Sequence, residues 1–295
     1  MPAGRLATAA QATPPAECGK YGACSVEACF GYICIAYATD GSVQAELTSG
    51  LSNAQGIATD RQGNAYIADS GNSEIFEYGP YFKGLIKTYQ DYGQVPLDVD
   101  VDAKTKLLAV SNKSTTGSGA GSVSVYAGGA TTPTATLSDP DVPDARGIGI
   151  AIDRHGNCFW SLYDPGSGRS KIDEFSACQG SPTAVVSGKH ALAGMAFDRA
   201  NNLYYVVYLS GSANHDIFKC KGTIHCRVLG SHFVGPLIIN FDNKWDFLWI
   251  DDVGGPEGPL IESINPKTGY VTSSFRAGSS TDPPFGVAHA PGPAY

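Results

Sequence analysis

The chain has 295 residues, and its 36 Gly and 18 Pro beside only 16% charged residues describe a turn-rich globular protein rather than a helical or disordered one. A formal net charge of −8, with 20 Lys and Arg scattered along the sequence, excludes the clustered positive charge needed by a nucleic-acid or anionic-membrane binder. No apolar run approaches the roughly 20 residues of a membrane-spanning helix, so no membrane insertion is expected.

In chain order, residues 1–29 read as an extended, cysteine-containing leader and 30–295 as a single domain. The first 17 residues are rich in Ala, Pro and Thr and lack the apolar stretch of a signal peptide. The eight cysteines are Cys18, Cys24, Cys29, Cys34, Cys158, Cys178, Cys220 and Cys226. Zinc sites favour close CxxC pairs, and none occurs here, whereas spacings of five or six residues suit small disulfide loops at strand ends. The expected bridges are Cys220 with Cys226, Cys158 with Cys178, and two among the N-terminal four. Disulfides in turn imply an extracellular or periplasmic setting.

The first strand-like segments are Tyr32 to Tyr37 and Ser42 to Leu47. A repeat follows. Gln55-Gly56-Ile57-Ala58-Thr59-Asp60, then Arg61-Gln62-Gly63-Asn64, then Ala65-Tyr66-Ile67-Ala68-Asp69 reads as strand, tight turn, strand, and Ile75 to Tyr78 supplies another strand. The pattern returns at Gly149 to Leu162 and at Gly194 to Val207. Weaker copies begin at Asp98 and Ile238, and a sixth at Gly286. Starts at residues 56, 98, 149, 194, 238 and 286 lie about 40–50 residues apart, the spacing of propeller blades. The turn between the first two strands, Asp-Arg-x-Gly-Asn in two copies, uses Asp to bond the turn backbone and Gly to take positive φ.

The predicted fold is therefore all-β: a six-bladed β-propeller with four-stranded antiparallel blades. The last copy ends after one clear strand while the N-terminus offers strands with no first strand before them. Sharing one blade between the two termini closes the ring and removes its open edges.

The stretch from Gln55 to Tyr78 resembles an NHL repeat, and the weaker copies extend the resemblance over most of residues 30 to 290. Propellers of this type and their gluconolactonase and streptogramin lyase-like relatives include hydrolases, lyases and non-catalytic binding modules, so the resemblance implies a fold and leaves the function open. In the gluconolactonase-like relatives a divalent metal sits at the channel mouth. The positions before each first-strand motif here are Gln55, Leu97, Ile148, Ala193, Leu237 and Phe285, and five of these offer no side-chain oxygen to a hard cation. A shift of one residue brings in Asp98 without completing a cage.

Two sets of polar residues remain. At the third motif position Ala58, Ala151, Ala196 and Ala288 alternate with Asp100 and Asn240, which fall in opposite blades; a network of channel waters would account for the latter pair. The loops after the second strands carry Asp69, Asn112, Asp164 and Asp251-Asp252. A ring of this kind could take calcium or a polyol, while Asp and Asn are also ordinary loop formers. Asp69, Asp100, Asn240, Asp251 and Asp252 are the candidate metal ligands. Of the six histidines, His289 lies nearest the axis.

The leading functional expectation is a secreted, non-catalytic binding or scaffold module with no cofactor. Its 15 Tyr, among them Tyr78, Tyr81, Tyr89 and Tyr92, would present amphipathic area to a protein or carbohydrate surface, or the leader would dock on copies of the same chain. The rival is a metal-assisted hydrolase or lyase using Asp251, Asp252, Asp69 and His289 at the channel mouth, which requires those side chains to converge.

Overall fold

The computed structural model describes residues 25–290 apart from 103, 117–118, 210, 243–246, 255–257 and 279–282. Cys18, Cys24 and the rest of the leader up to residue 24 lie outside the described residues.

Strands β1 (Ser25–Cys29), β2 (Cys34–Tyr37) and β3 (Val43–Leu47) come first. Five complete blades follow. The first holds β4 (Ala54–Thr59), β5 (Ala65–Asp69), β6 (Glu74–Tyr78) and β7 (Leu85–Gln90); the second β8 (Gln94–Val101), β9 (Leu108–Thr115), β10 (Ser122–Tyr126) and β11 (Ala135–Leu137). The third holds β12 (Arg146–Ile152), β13 (Cys158–Asp164), β14 (Arg169–Phe175) and β15 (Thr183–Gly188); the fourth β16 (Ala191–Phe197), β17 (Leu203–Tyr208), β18 (His215–Lys221) and β19 (Ile224–Phe233). The fifth holds β20 (Pro236–Asp242), β21 (Phe247–Asp252), β22 (Leu260–Ile264) and β23 (Val271–Arg276), and β24 (Gly286–Ala290) ends the order.

β24 pairs antiparallel with β1, Val26 opposite His289 and Ala28 opposite Val287, and the closing sheet runs β24-β1-β2-β3. The six innermost strands, β4, β8, β12, β16, β20 and β24, touch in cyclic order, so the ring is a six-bladed propeller closed by its two termini. One boundary is corrected: Ser25–Cys29, assigned by sequence to the leader, is the second strand of the closing blade and is buried along its whole length.

The core lies between blades. Six buried apolar clusters occupy the six blade junctions. Trp160 and Phe175 pack between the second and third blades, Tyr66 and Tyr126 between the first and second. Each buried side chain of this size contributes about 1.5–3 kcal/mol relative to exposure, and both faces of each sheet are covered.

Sequence dictates the two ends of the ring differently. At one end, the turn end, the Asp-Arg-x-Gly-Asn motif folds on itself: Asp60 Oδ1 accepts the Gln62 and Asn64 amides at 2.8 and 3.0 Å, and Gly63 sits at φ +80°. Asp153 and Asp198 repeat the arrangement, with Asn201 taking the left-handed position in the fourth blade at φ +63°. At the opposite end, the loop end, the innermost strands begin and crowd together. A Cβ on Gly56 would lie 2.6 Å from Asp98 Cα, one on Gly194 2.6 Å from Ile238 Cα, and one on Gly286 2.8 Å from Gly56 Cα. Glycine recurs at the first motif position because the strands meet there backbone to backbone.

Three cystines lie within blades: Cys29–Cys34, Cys158–Cys178 and Cys220–Cys226. The last two are the pairs expected from spacing, and the first is one bridge within the N-terminal four.

Candidate functional site

The loop end holds most of the candidate residues, and their hydrogen bonds say what they do. Asp69, fully buried at the end of β5, accepts the backbone N–H groups of Ser52 (2.7 Å), Asn53 (2.9 Å), Gly71 (3.0 Å) and Asn72 (3.2 Å). It ties the segment entering β4 to the loop leaving β5. Asp252 occupies the matching place in the fifth blade, opposite Pro236 as Asp69 is opposite Ala54. Its carboxylate accepts the Val234 and Gly235 amides, the latter at 2.6 Å. Both carboxylates thus satisfy amides of the segment entering an inner strand, just ahead of its first ladder pair.

Asn112 donates to the Ser122 and Ser124 hydroxyls inside the second blade, and Asp164 caps its own turn by accepting from Gly166 N and Ser167 Oγ. The two carboxylates of the Asp251-Asp252 pair serve different neighbours. Asp251, also fully buried, accepts the amides of Leu237 (3.2 Å) and Ile238 (2.5 Å), at the bulge between Pro236 and Ile239. Its Oδ2 has no donor among the described residues.

The axial channel itself is narrow. Its walls are chiefly Ile57, Ile150, Ile152, Met195, Phe197 and Phe241, with Asp98, Asp100, Asn240 and Thr59 as polar interruptions. The cavity between them has room for a few waters. Asp100 and Asn240, in opposite blades, do share this cavity. Asp98 Oδ2 accepts Ile150 N at 3.0 Å and Asp100 Oδ2 accepts Ile152 N at 2.7 Å, each reaching from β8 to the neighbouring inner strand. Burial pushes both carboxyls up to about 7 against the pull of those amides, and it holds Asp251 well above the usual carboxylate range.

His289 is buried on β24, where its carbonyl accepts the Thr59 hydroxyl at 2.6 Å and its ring lies nearly parallel to Trp249, 6.1 Å between centroids. Asp69 stands in the first blade and Asp251 and Asp252 in the fifth, with the closing blade between. Among the described residues no group of three or more His, Cys, Asp or Glu is arranged to hold a metal ion.

The tyrosine surface needs correction as well. Tyr78 and Tyr89 are buried at 8% and 5% exposure, and Tyr81 is half-buried. Tyr89 instead donates to Glu77 Oε2 at 2.8 Å, while Tyr66 donates to its other oxygen. Tyr92 is open to solvent at 77%, as is Tyr32 at 72%, and both project from the loop end. Sequence reasoning missed Tyr32, in the turn between β1 and β2, and Glu27, whose carboxyl is enclosed on β1 and pushed up to about 8 by burial. The signal for Asp98 was present: an Asp replaces Gly at the crowded first motif position in one blade.

No family model matches the chain, and no curated protein matches it in sequence. Among solved structures it is similar to a chain of a nidogen/laminin complex, with a TM-score of 0.67 and 14% identity over 91% of this chain and 98% of that one. It is also similar to a luciferin-regenerating enzyme, with a TM-score of 0.54 and 16% identity over 78% of this chain and 77% of that one. At such identities the likeness shows the fold alone, and the fold has room for both kinds of function.

Proposed function

We propose that the chain is a non-catalytic binding propeller of an oxidising, extracytoplasmic compartment, and that its loop end receives a protein or carbohydrate partner. The observation that carries this reading is the engagement of Asp69 and Asp252 by strand-entry amides. The carboxylates that a metal-assisted hydrolase would need at the channel mouth serve instead to hold loops in place. The loops they hold, including residues 48–53 and 70–73, are built from Ser, Gly, Asn and Thr apart from Leu51, with Tyr32 and Tyr92 projecting beside them. Small adaptable polar groups around a few exposed aromatic anchors make a recognition surface at low ordering cost. The three cystines support the compartment, and a structural neighbour drawn from a protein–protein complex is in keeping with a protein partner.

The test is a photo-crosslinking side chain placed at Tyr92, at Tyr32 or, on the turn end, at Arg199, with the protein exposed to extracellular fractions and to a glycan array. Adducts or glycan binding that depend on Tyr32 and Tyr92 are expected. Adducts confined to the Arg199 probe would move the binding face to the turn end and overturn the proposal.

A further inference from the structure

Asp98 and Asp100 line the apolar axial channel, and Asp251, on β21 beside it, binds the amides of Leu237 and Ile238 on the neighbouring inner strand. Asp98 and Asp251 are almost fully buried, and Asp100 is half-buried. Their donors are backbone amides: Ile150 and Ile152 from β12, Val101 beside Asp100, and Leu237 and Ile238 beside Asp251. Ion pairs form away from these carboxyls at Lys106–Asp60, Lys171–Asp139 and Lys219–Asp198.

The charges acting on these carboxyls from the described residues are themselves acidic. Asp102 faces Asp100, and Asp98 acts on Asp251. Tyr208 and Asp252 flank Asp251. The inner strands β4, β12, β16 and β20 contribute Thr59, Asn240 and apolar side chains to the channel, and β24 carries His289 with its ring turned on Trp249. Leaving two charges bare in so small a space, and a third buried beside it, would cost many kcal/mol, so something must neutralise them. Room for a few waters, one carboxyl oxygen at Asp251 without a donor among the described residues and, among those same residues, no three-ligand metal cluster favour the smallest cation.

We propose that the axial channel and the buried carboxyl beside it bind protons: Asp98 and Asp100 in the channel and Asp251 on β21 each take a proton from solvent as the ring closes, so the folded propeller is tightened by mild acid. This rests on these carboxyls alone and stands whether or not the loop end binds a partner. The sign follows from linkage. An unfolded Asp releases its proton above about pH 4, whereas when folded Asp98 and Asp100 keep theirs to about 7 and burial holds Asp251 well above the usual carboxylate range. Folding therefore takes up protons in that window, and stability falls as pH rises through it.

The experiment is urea unfolding of the full chain at a series of pH values, for wild type, Asp98→Asn and Asp100→Asn. For wild type the folding constant should fall with rising pH between about pH 5 and 7, by up to about tenfold per pH unit for each proton held. Either substitution, which keeps the shape without the titration, should reduce that slope by about one proton. Glu27, Asp173 and Glu262 are raised in the same direction, so the difference between variants is the readout. A slope unchanged by both substitutions overturns the proposal. Should the variants fail to fold, infrared spectra of wild type near pH 6 must show a protonated-carboxyl stretch that disappears on unfolding, and its absence overturns the proposal equally. Recovery of wild-type stability above about pH 8 by calcium or sodium chloride, lost in Asp100→Asn, would assign the channel to a metal cation instead.

Discussion

Replacing Asp69 by Ala separates a structural carboxylate from a catalytic one. Asp69 holds four backbone N–H groups, of which those of Ser52 and Asn53 belong to the segment entering β4 and those of Gly71 and Asn72 to the loop leaving β5. Asn53, Gly71 and Asn72 are exposed and Ser52 is half-buried, so water offsets part of the loss and about two bonds' worth remains. A hydrogen bond to a charged acceptor contributes about 1.5–3 kcal/mol, which puts the cost of Asp69→Ala at about 3–5 kcal/mol. In a domain of this size each kcal/mol lowers Tm by about 2 °C, so a fall of about 6–10 °C is expected in a thermal melt followed by near-ultraviolet circular dichroism. Asp164→Ala, which removes only a half-exposed turn cap, serves as the control and should leave Tm close to wild type. If Asp69→Ala melts no lower than Asp164→Ala, the carboxylate does not hold the loop, and a chemical role for Asp69 regains its place.

Crowding of the innermost strands predicts that Gly194→Ala, whose Cβ would stand 2.6 Å from Ile238 Cα, destabilises the ring by about 1–3 kcal/mol through overpacking. Gly188→Ala, with its nearest neighbour at 3.9 Å, should be tolerated, and equal effects in chemical denaturation would refute the close approach. Removing the Cys158–Cys178 bridge by double Ser substitution opens a loop with a sequence separation of 20 and should cost about 3 kcal/mol, read as a lower urea midpoint. An unchanged midpoint would show that this bridge contributes nothing to stability.

Much of the architecture was legible because its determinants are local. The Asp-Arg-x-Gly-Asn turns close through bonds spanning two to four residues, and repetition of that unit exposed the blade spacing. Cys158 with Cys178 and Cys220 with Cys226 were legible for the same reason. The second strand of the closing blade was not, since Ser25–Cys29 follows a leader and has its inner partner at the far end of the chain, in β24.

The candidate site depended on longer reach. Asp69 and Asp252 look alike as free loop acids in the sequence, and only folding brings Ser52 and Asn53, or Val234 and Gly235, onto their oxygens. Tyr78 and Tyr89 could not be told from surface tyrosines because a propeller blade buries both faces against its neighbours, so alternation along a strand carries no inside and outside. The sequence by itself therefore determined the blades, their turns and the closing of the ring by its two ends. Which carboxyls face the axis, which amides they meet and which tyrosines reach solvent were decided only when six sheets were packed around one channel, because burial there is a property of the junction between blades and not of any single strand.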